Sequence, residues 1–261
     1  MFRKDILANA PASRSFTLGG HQFKVPIHYR RLDCFFAIFG ADTDALKRLL
    51  PSLRLRPIPI WPGRSLLALN AFNYLDTDIG PYGEFSVGIP CSLARPAKWP
   101  AFGIYIHRLP VTSELGKVAG IEVWGYPKFV CEMQFQNTGM VNSVKLSRDG
   151  KTILELSIKK AGLGIGAAVN LNTFTVKDGV ILQTRIMSSS VVRVSPNGLA
   201  ALKLGDHEMA AELAALNLAK RPLGTGDLLD ANMLLPLGNP AGPIHRVSGP
   251  DPISPQPAPA G

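Results

Sequence analysis

Phe174-Thr175-Val176-Lys177-Asp178-Gly179-Val180-Ile181-Leu182-Gln183-Thr184-Arg185-Ile186 decides the fold class. Two runs of strand-forming residues, Phe174–Val176 and Val180–Ile186, flank Lys177-Asp178-Gly179. An Asp-Gly pair between such runs signals a tight hairpin, because both residues accept the left-handed backbone that the turn needs. A second unit of the same kind lies upstream. There Val144–Leu146 and Ile153–Ile158 flank Arg148-Asp149-Gly150-Lys151.

Outward from these hairpins the chain keeps reading as strand. Phe23–Tyr29, Cys34–Phe39, Leu66–Leu75, Glu84–Pro90, Phe102–Val111 and Phe129–Phe135 are strand-like, with turn residues at 76–83 and a proline-rich crossing from Pro57 to Pro62. Helices are few. Asp42 can cap a short one that carries Leu46, Leu49 and Leu50 on one face and stops at Pro51. A longer one is expected at His207–Ala219, rich in Ala, Leu and Glu. Many short strands and few helices argue for a closed barrel or a sandwich. Gly162-Leu163-Gly164-Ile165-Gly166-Ala167 mimics a dinucleotide-binding fingerprint. Extended residues follow it rather than a helix, so a glycine-rich bend in a strand is the better account. Residues 1–20 read as a loosely held segment and 21–238 as one domain. Residues 239–261, with seven prolines and three glycines, read as a disordered tail or a surface extension.

With 46% hydrophobic and 18% charged residues, 261 residues can bury a sizeable core. No apolar run approaches the roughly 20 residues of a membrane span, so no membrane partner is expected. The net charge of +9 is uneven: residues 1–64 hold 11 basic and 4 acidic residues. That could steer an anionic substrate. Nucleic acid is not expected, because no recognition motif or stacking platform accompanies the charge. Cys34, Cys91 and Cys131 are odd in number and far apart, which suggests reduced thiols and a cytoplasmic setting. The five histidines lack metal-ligand spacing, and no metal is expected.

The residue that carries chemistry is Lys128, in Gly120-Ile121-Glu122-Val123-Trp124-Gly125-Tyr126-Pro127-Lys128-Phe129-Val130. An ammonium among aromatic and aliphatic neighbours either snorkels to water or sheds its proton. A neutral lysine is a nucleophile, and its usual product is a Schiff base with a ketone or aldehyde. Glu84 lies upstream as a lone carboxylate between the turn at Gly80–Gly83 and an apolar strand. Tyr105-Ile106-His107 follows.

This order of segments resembles the acetoacetate decarboxylase family over roughly residues 25–240. The G-x-E-x-x-x-Y-P-K run is its most specific element. The resemblance implies a mainly β protein, a closed cone-shaped antiparallel barrel with the active site inside. It implies Lys128 as the Schiff-base lysine and Glu84 as the catalytic glutamate facing the substrate. Candidate substrate contacts are Arg31, Tyr126, Tyr82 and His107. A keto-acid substrate, no metal or organic cofactor, and a homo-oligomer complete what it implies.

Three positions depart from the family pattern. The decarboxylase proper carries a second lysine after the first, where this chain has Phe129. A neutral amine then needs dry surroundings or a cation that is close only in space. On Leu66–Phe72 an acidic residue of the family is missing, and Leu69 and Asn70 stand there. Leu32 occupies the position of the substrate-binding arginine, with Arg30 and Arg31 beside it. Three functions follow: a β-keto-acid decarboxylase, an aldolase-dehydratase joining a keto acid to an aldehyde through the same imine, and a barrel that only binds a ligand.

Overall fold

The computed structural model describes residues 11–18, 20–95, 98–160 and 163–244. In chain order these form β1 (Arg14–Leu18), β2 (His21–Val25), β3 (Ile27–Asp42), α1 (Thr43–Leu49), β4 (Leu55–Pro57), β5 (Pro59–Trp61), β6 (Arg64–Thr77), β7 (Tyr82–Arg95) and β8 (Lys98–Arg108). There follow α2 (Glu114–Trp124), β9 (Glu132–Asn137), β10 (Val141–Arg148), β11 (Lys151–Lys159), β12 (Ile165–Lys177), β13 (Val180–Pro196), β14 (Ala200–Leu204), α3 (Glu208–Ala215), β15 (Gly224–Leu235) and β16 (Asn239–Pro243).

Both Asp-Gly signals make two-residue turns. Asp178 and Gly179 have φ of 50° and 73°, and Asp149 and Gly150 have 51° and 75°. Positive φ at both positions matches the twist of the strands they join. β12 and β13 pair without a register break from Ile165↔Val192 to Lys177↔Val180.

Seven strands close into a barrel in the order β7-β8-β12-β13-β15-β3-β6, and β6 pairs back to β7. Neighbours are antiparallel except β8 and β12, which run parallel at Thr173↔Ile104 and Phe174↔Tyr105. Closure leaves the barrel strands no free edge along their paired length. Alternation then sorts the side chains. Leu32 and Cys34 of β3, Tyr74 of β6, Tyr82 of β7, Ile106 of β8 and Met233 of β15 join one buried cluster in the lumen. Phe35, Ala37, Leu69, Phe85 and Val87 from the same strands join another on the outer face. It packs against α1, α3 and the four-stranded sheet β14-β11-β10-β9.

Several sequence readings change in detail. Glu114–Trp124, to which the sequence reading gave no element, forms α2 and places Ala119 and Trp124 in the lumen cluster. Its glycines at 116 and 120 depress helix propensity and hide it, while its Ser113 cap, accepting from Gly116 N at 3.1 Å, was the overlooked signal. The expected helix at His207–Ala219 is confined to Glu208–Ala215, capped by His207. Of the two readings of 239–261, Asn239–Pro243 follows the surface extension: it is a strand on β13, paired at Gln183↔Asn239 and Leu182↔Pro240. Residues 245–261 lie outside the described residues. Within 1–20, Arg14–Leu18 is held in a hairpin with β2, with Phe16 stacked on Phe23, while residues 1–10 lie outside the description. The fingerprint-like stretch opens β12 at Ile165. The three cysteines are free and buried.

Candidate active site

Lys128 stands in a short irregular segment between α2 and β9. Gly125 ends α2 in a left-handed conformation, φ 65°, and no side chain fits there, since a Cβ would lie 2.5 Å from Val176 O. The chain reverses, and Tyr126 N donates to Gly120 O at 3.1 Å. Residues 127–131 then run along the stretch that follows β8. Leu109 N donates to Pro127 O (3.1 Å), Val111 N to Phe129 O (2.9 Å) and Cys131 N to Val111 O (2.9 Å). The lysine stem lies against Gly120, where a Cβ would be 2.6 Å from both Cδ and Cε of Lys128. The glycine of the G-x-E run therefore has a steric reason: it clears the path of the lysine.

At the end of that path Lys128 Nζ donates to Glu84 Oε2 at 2.6 Å. The two side chains are 5% and 9% exposed. Glu84 comes from β7, on the same face as Tyr82 and Ser86 by strand alternation. Its other oxygen accepts from Tyr74 OH at 2.9 Å. The Tyr82 and Tyr126 rings lie 5.6 and 5.8 Å from Nζ. Tyr29 OH and Tyr82 OH share a hydrogen bond of 3.0 Å, and Tyr126 OH shares one of 2.9 Å with Thr173 Oγ1. Four of the five tyrosines of the chain thus converge on the amine and its carboxylate. Burial first, and the negative charge of Glu84 in addition, push the phenols of Tyr29, Tyr74, Tyr82 and Tyr126 well above the usual range. They stay protonated and serve as donors, never as phenolate bases.

The structure brings Lys128, Glu84, Tyr82 and Tyr126 together and leaves two other candidates apart. Strand parity turns His107 away from Ile106 and the lumen, onto α3, where its Nε2 lies 3.2 Å from Glu212 Oε2. Arg108 binds the same carboxylate through Nε at 3.0 Å and through NH2. Arg31 is exposed between two register shifts of β3. It lines a cleft of about 330 Å³ with Tyr74, Tyr82, Met133 and Phe135, on the side where β9 packs, and stays outside the buried lumen cluster. Leu32 is the residue that enters the lumen cluster. Phe129, the residue after Lys128, points to the outer cluster and stacks on His207.

Tyr29 and Tyr74 were missed. Tyr74 was accessible in principle, because it shares the parity of Asn70 and Phe72 on β6 and pairs with Tyr82. Tyr29 had no such signal, since β3 bulges next to it. Among the described residues no group of three or more His, Cys, Asp or Glu side chains could hold a metal ion, and no helix is long and apolar enough to cross a membrane. A buried amine, a carboxylate in proton-transfer contact and a shell of neutral donors can form and protonate an imine.

Residues 15–227 match the family model described as acetoacetate decarboxylase. No curated protein matches the sequence. Among solved structures, an acetoacetate decarboxylase superposes with a TM-score of 0.65 at 19% identity, over 84% of this chain and 90% of that one. The acetoacetate decarboxylase of Legionella pneumophila superposes at 0.64 and 15% identity, over 90% and 93%. The enduracididine biosynthesis enzyme MppR, solved with the condensation product of pyruvate and imidazole 4-carboxaldehyde, superposes at 0.59 and 14% identity, over 90% and 98%. At such identities the likeness of structure is a likeness of fold.

Proposed function

The chain belongs to the acetoacetate decarboxylase family, and from that premise we propose that it is a lyase that binds a β-keto acid as a Schiff base on Lys128 and releases CO₂. The observation that carries the proposal is the contact of 2.6 Å between Lys128 Nζ and Glu84 Oε2 inside a closed barrel.

An ordinary lysine is neutral in fewer than about one molecule in a thousand at pH 7. Here the proton need only cross one hydrogen bond. Glu84 Oε2, in contact with Nζ, is placed to take that proton as general base. The amine attacks the ketone. Glu84 returns the proton to the departing hydroxyl, which leaves as water, and the protonated imine remains. The bond to the carboxylate then breaks, its electron pair enters the imine to give an enamine, and CO₂ departs. A proton drawn from solvent adds to the enamine carbon and restores the protonated imine, and water hydrolyses that imine to the product ketone and the lysine ammonium. The phenol of Tyr74 steadies the carboxylate through these changes of charge.

A second reading keeps the imine and joins a keto acid such as pyruvate to an aldehyde. It is favoured by Asn70, which stands on the strand where the decarboxylase proper carries an acidic residue, and by the relative solved with such a condensation product.

Borohydride reduction in the presence of acetoacetate should add the mass of the ligand at Lys128. Labelling of Lys128→Ala as strong as that of the wild type would remove the nucleophile from both readings. CO₂ released from acetoacetate with no aldehyde present selects the first reading; product formed only when an aldehyde is added selects the second. If no carbonyl compound labels the protein, the barrel is a binding protein.

The proposal includes a homo-oligomer. Phe102, Ile165, Val191 and Val194, carried by the barrel strands, leave apolar side chains exposed that a second copy could cover. A monomeric mass by light scattering at micromolar concentration would exclude it.

A further inference from the structure

Ser86 is a buried hydroxyl for which the imine chemistry above has no use. It is 3% exposed and its Oγ has no hydrogen-bond partner. Buried polar atoms without partners are rare, and each calls for a reason. Strand alternation places Ser86 on the face of Glu84, one repeat further along β7, and the register between β6 and β7 is unbroken there. Its Oγ turns toward the neighbouring lumen position, because a Cβ on Gly88 would lie 3.6 Å from it and against the Ile104 side chain. Directly across the sheet from Ser86 is Asn70, which is half-buried. Side chains opposite each other on antiparallel strands approach to roughly 5 Å at Cβ.

The site lacks the expected anchor for the substrate carboxylate. Leu32 stands in the arginine position and enters the lumen cluster, while Arg31 lines the cleft toward β9. Resting on the Schiff-base reading, we infer that Ser86 and Asn70 form a neutral station that holds the carboxylate of the keto acid beside Lys128.

The spacing fits. Glu84 and Ser86 are separated by one strand repeat, about 7 Å. A β-keto acid bound as an imine carries its carboxylate three bonds from the imine nitrogen, so its oxygens fall within hydrogen-bond reach of a donor one repeat away. A serine hydroxyl and an asparagine amide each offer a proton to an anion without adding charge. That suits the reaction. When the carbon–carbon bond breaks, the negative charge leaves the carboxylate and its electron pair moves to the imine. A cation at the carboxylate would hold the starting state more tightly than the transition state, and neutral donors orient the group without that penalty.

The test uses two ketones that cannot lose CO₂: acetonylsulfonate, whose sulfonate replaces the carboxylate, and acetone, which has no anionic group. Each is reduced with borohydride on the intact protein, and the mass at Lys128 is followed against ketone concentration. In Ser86→Ala the half-saturating acetonylsulfonate concentration should rise roughly tenfold or more, the usual effect of one hydrogen bond to a charged group. The acetone curve should not move. Asn70→Ala should shift the same curve in the same direction, and Ser86→Thr, which keeps the hydroxyl, should stay near the wild type. A Ser86→Ala protein in which both curves shift equally, or neither shifts, overturns the station while leaving the imine standing. A wild type labelled by neither ketone overturns the imine reading and the station together.

Discussion

Gly120 and Lys128 show how one missing side chain makes room for another. The lysine stem occupies the space that any Cβ at 120 would claim. Gly120→Ala should therefore separate folding from function. Alanine favours helix over glycine by about 1 kcal/mol, so the thermal midpoint should hold within a few degrees. The amine, however, is pushed off its line to Glu84, and a displacement of about 1 Å costs on the order of 100-fold in rate. Borohydride labelling and calorimetry on the same sample measure the two effects. Full labelling would show that the stem has another route. The glycine and the lysine were both legible in the sequence. Their contact was not, because seven residues and a chain reversal lie between them.

Helix α2 is the element that aims the site. Its start is capped by Ser113, and its end is turned at Gly125 so that Tyr126 and Lys128 face the lumen. Gly125→Ala forces an alanine into the left-handed region at about 1–2 kcal/mol, and overlap with Val176 O adds to that. The variant should unfold several degrees lower and also lose labelling, in contrast to the variant at Gly120. Helix α3 is tied to β8 by Glu212, which accepts from Arg108 and meets His107. Arg108 holds the Glu212 carboxyl below its usual range. Burial holds His107 below its own, although Glu212 pulls the other way. Both groups bind protons more weakly in the folded protein than in the unfolded chain. Their stabilisation is present at neutral pH and is lost as the pH falls, first below about 6.5 through His107 and then below about 4.5 through Glu212. The protection factors of the amides in Glu208–Ala215 should fall over that range, and Glu212→Gln should remove the lower step. The strands and their turns were readable because alternation and Asp-Gly turns are local. Helix α2 was not, because an apolar run with two glycines satisfies helix and strand alike.

At the scale of the molecule, the outer sheet is fastened to the barrel by a polar clasp. Asp227 of β15 is 1% exposed at its side chain. It accepts from Arg193 of β13 through two nitrogens, with Nε at 2.7 Å, and from Asn142 Nδ2 of β10 at 3.2 Å. Asp227→Ala leaves a guanidinium and an amide without their partner. Breaking a buried pair of this kind costs about 3–5 kcal/mol. Chemical denaturation should show that loss, and a change below about 1 kcal/mol would mean that water replaces the carboxylate. The clasp had no sequence signature, since its three members lie on strands far apart in the chain.

What the sequence determined alone is the local chemistry. The Asp-Gly turns, the alternation of the strands and the apolar run that holds Lys128 are written in neighbouring residues, where backbone preference and periodicity act. Tertiary structure decided which of these residues meet. Closure of seven strands put Glu84 of β7 against Lys128 and drew four tyrosines around them. It also sent His107 and Arg31 to other surfaces, since strand parity and the bulges of β3 choose the face a side chain takes. A shift of one residue reverses that choice, and only the paired register sets it.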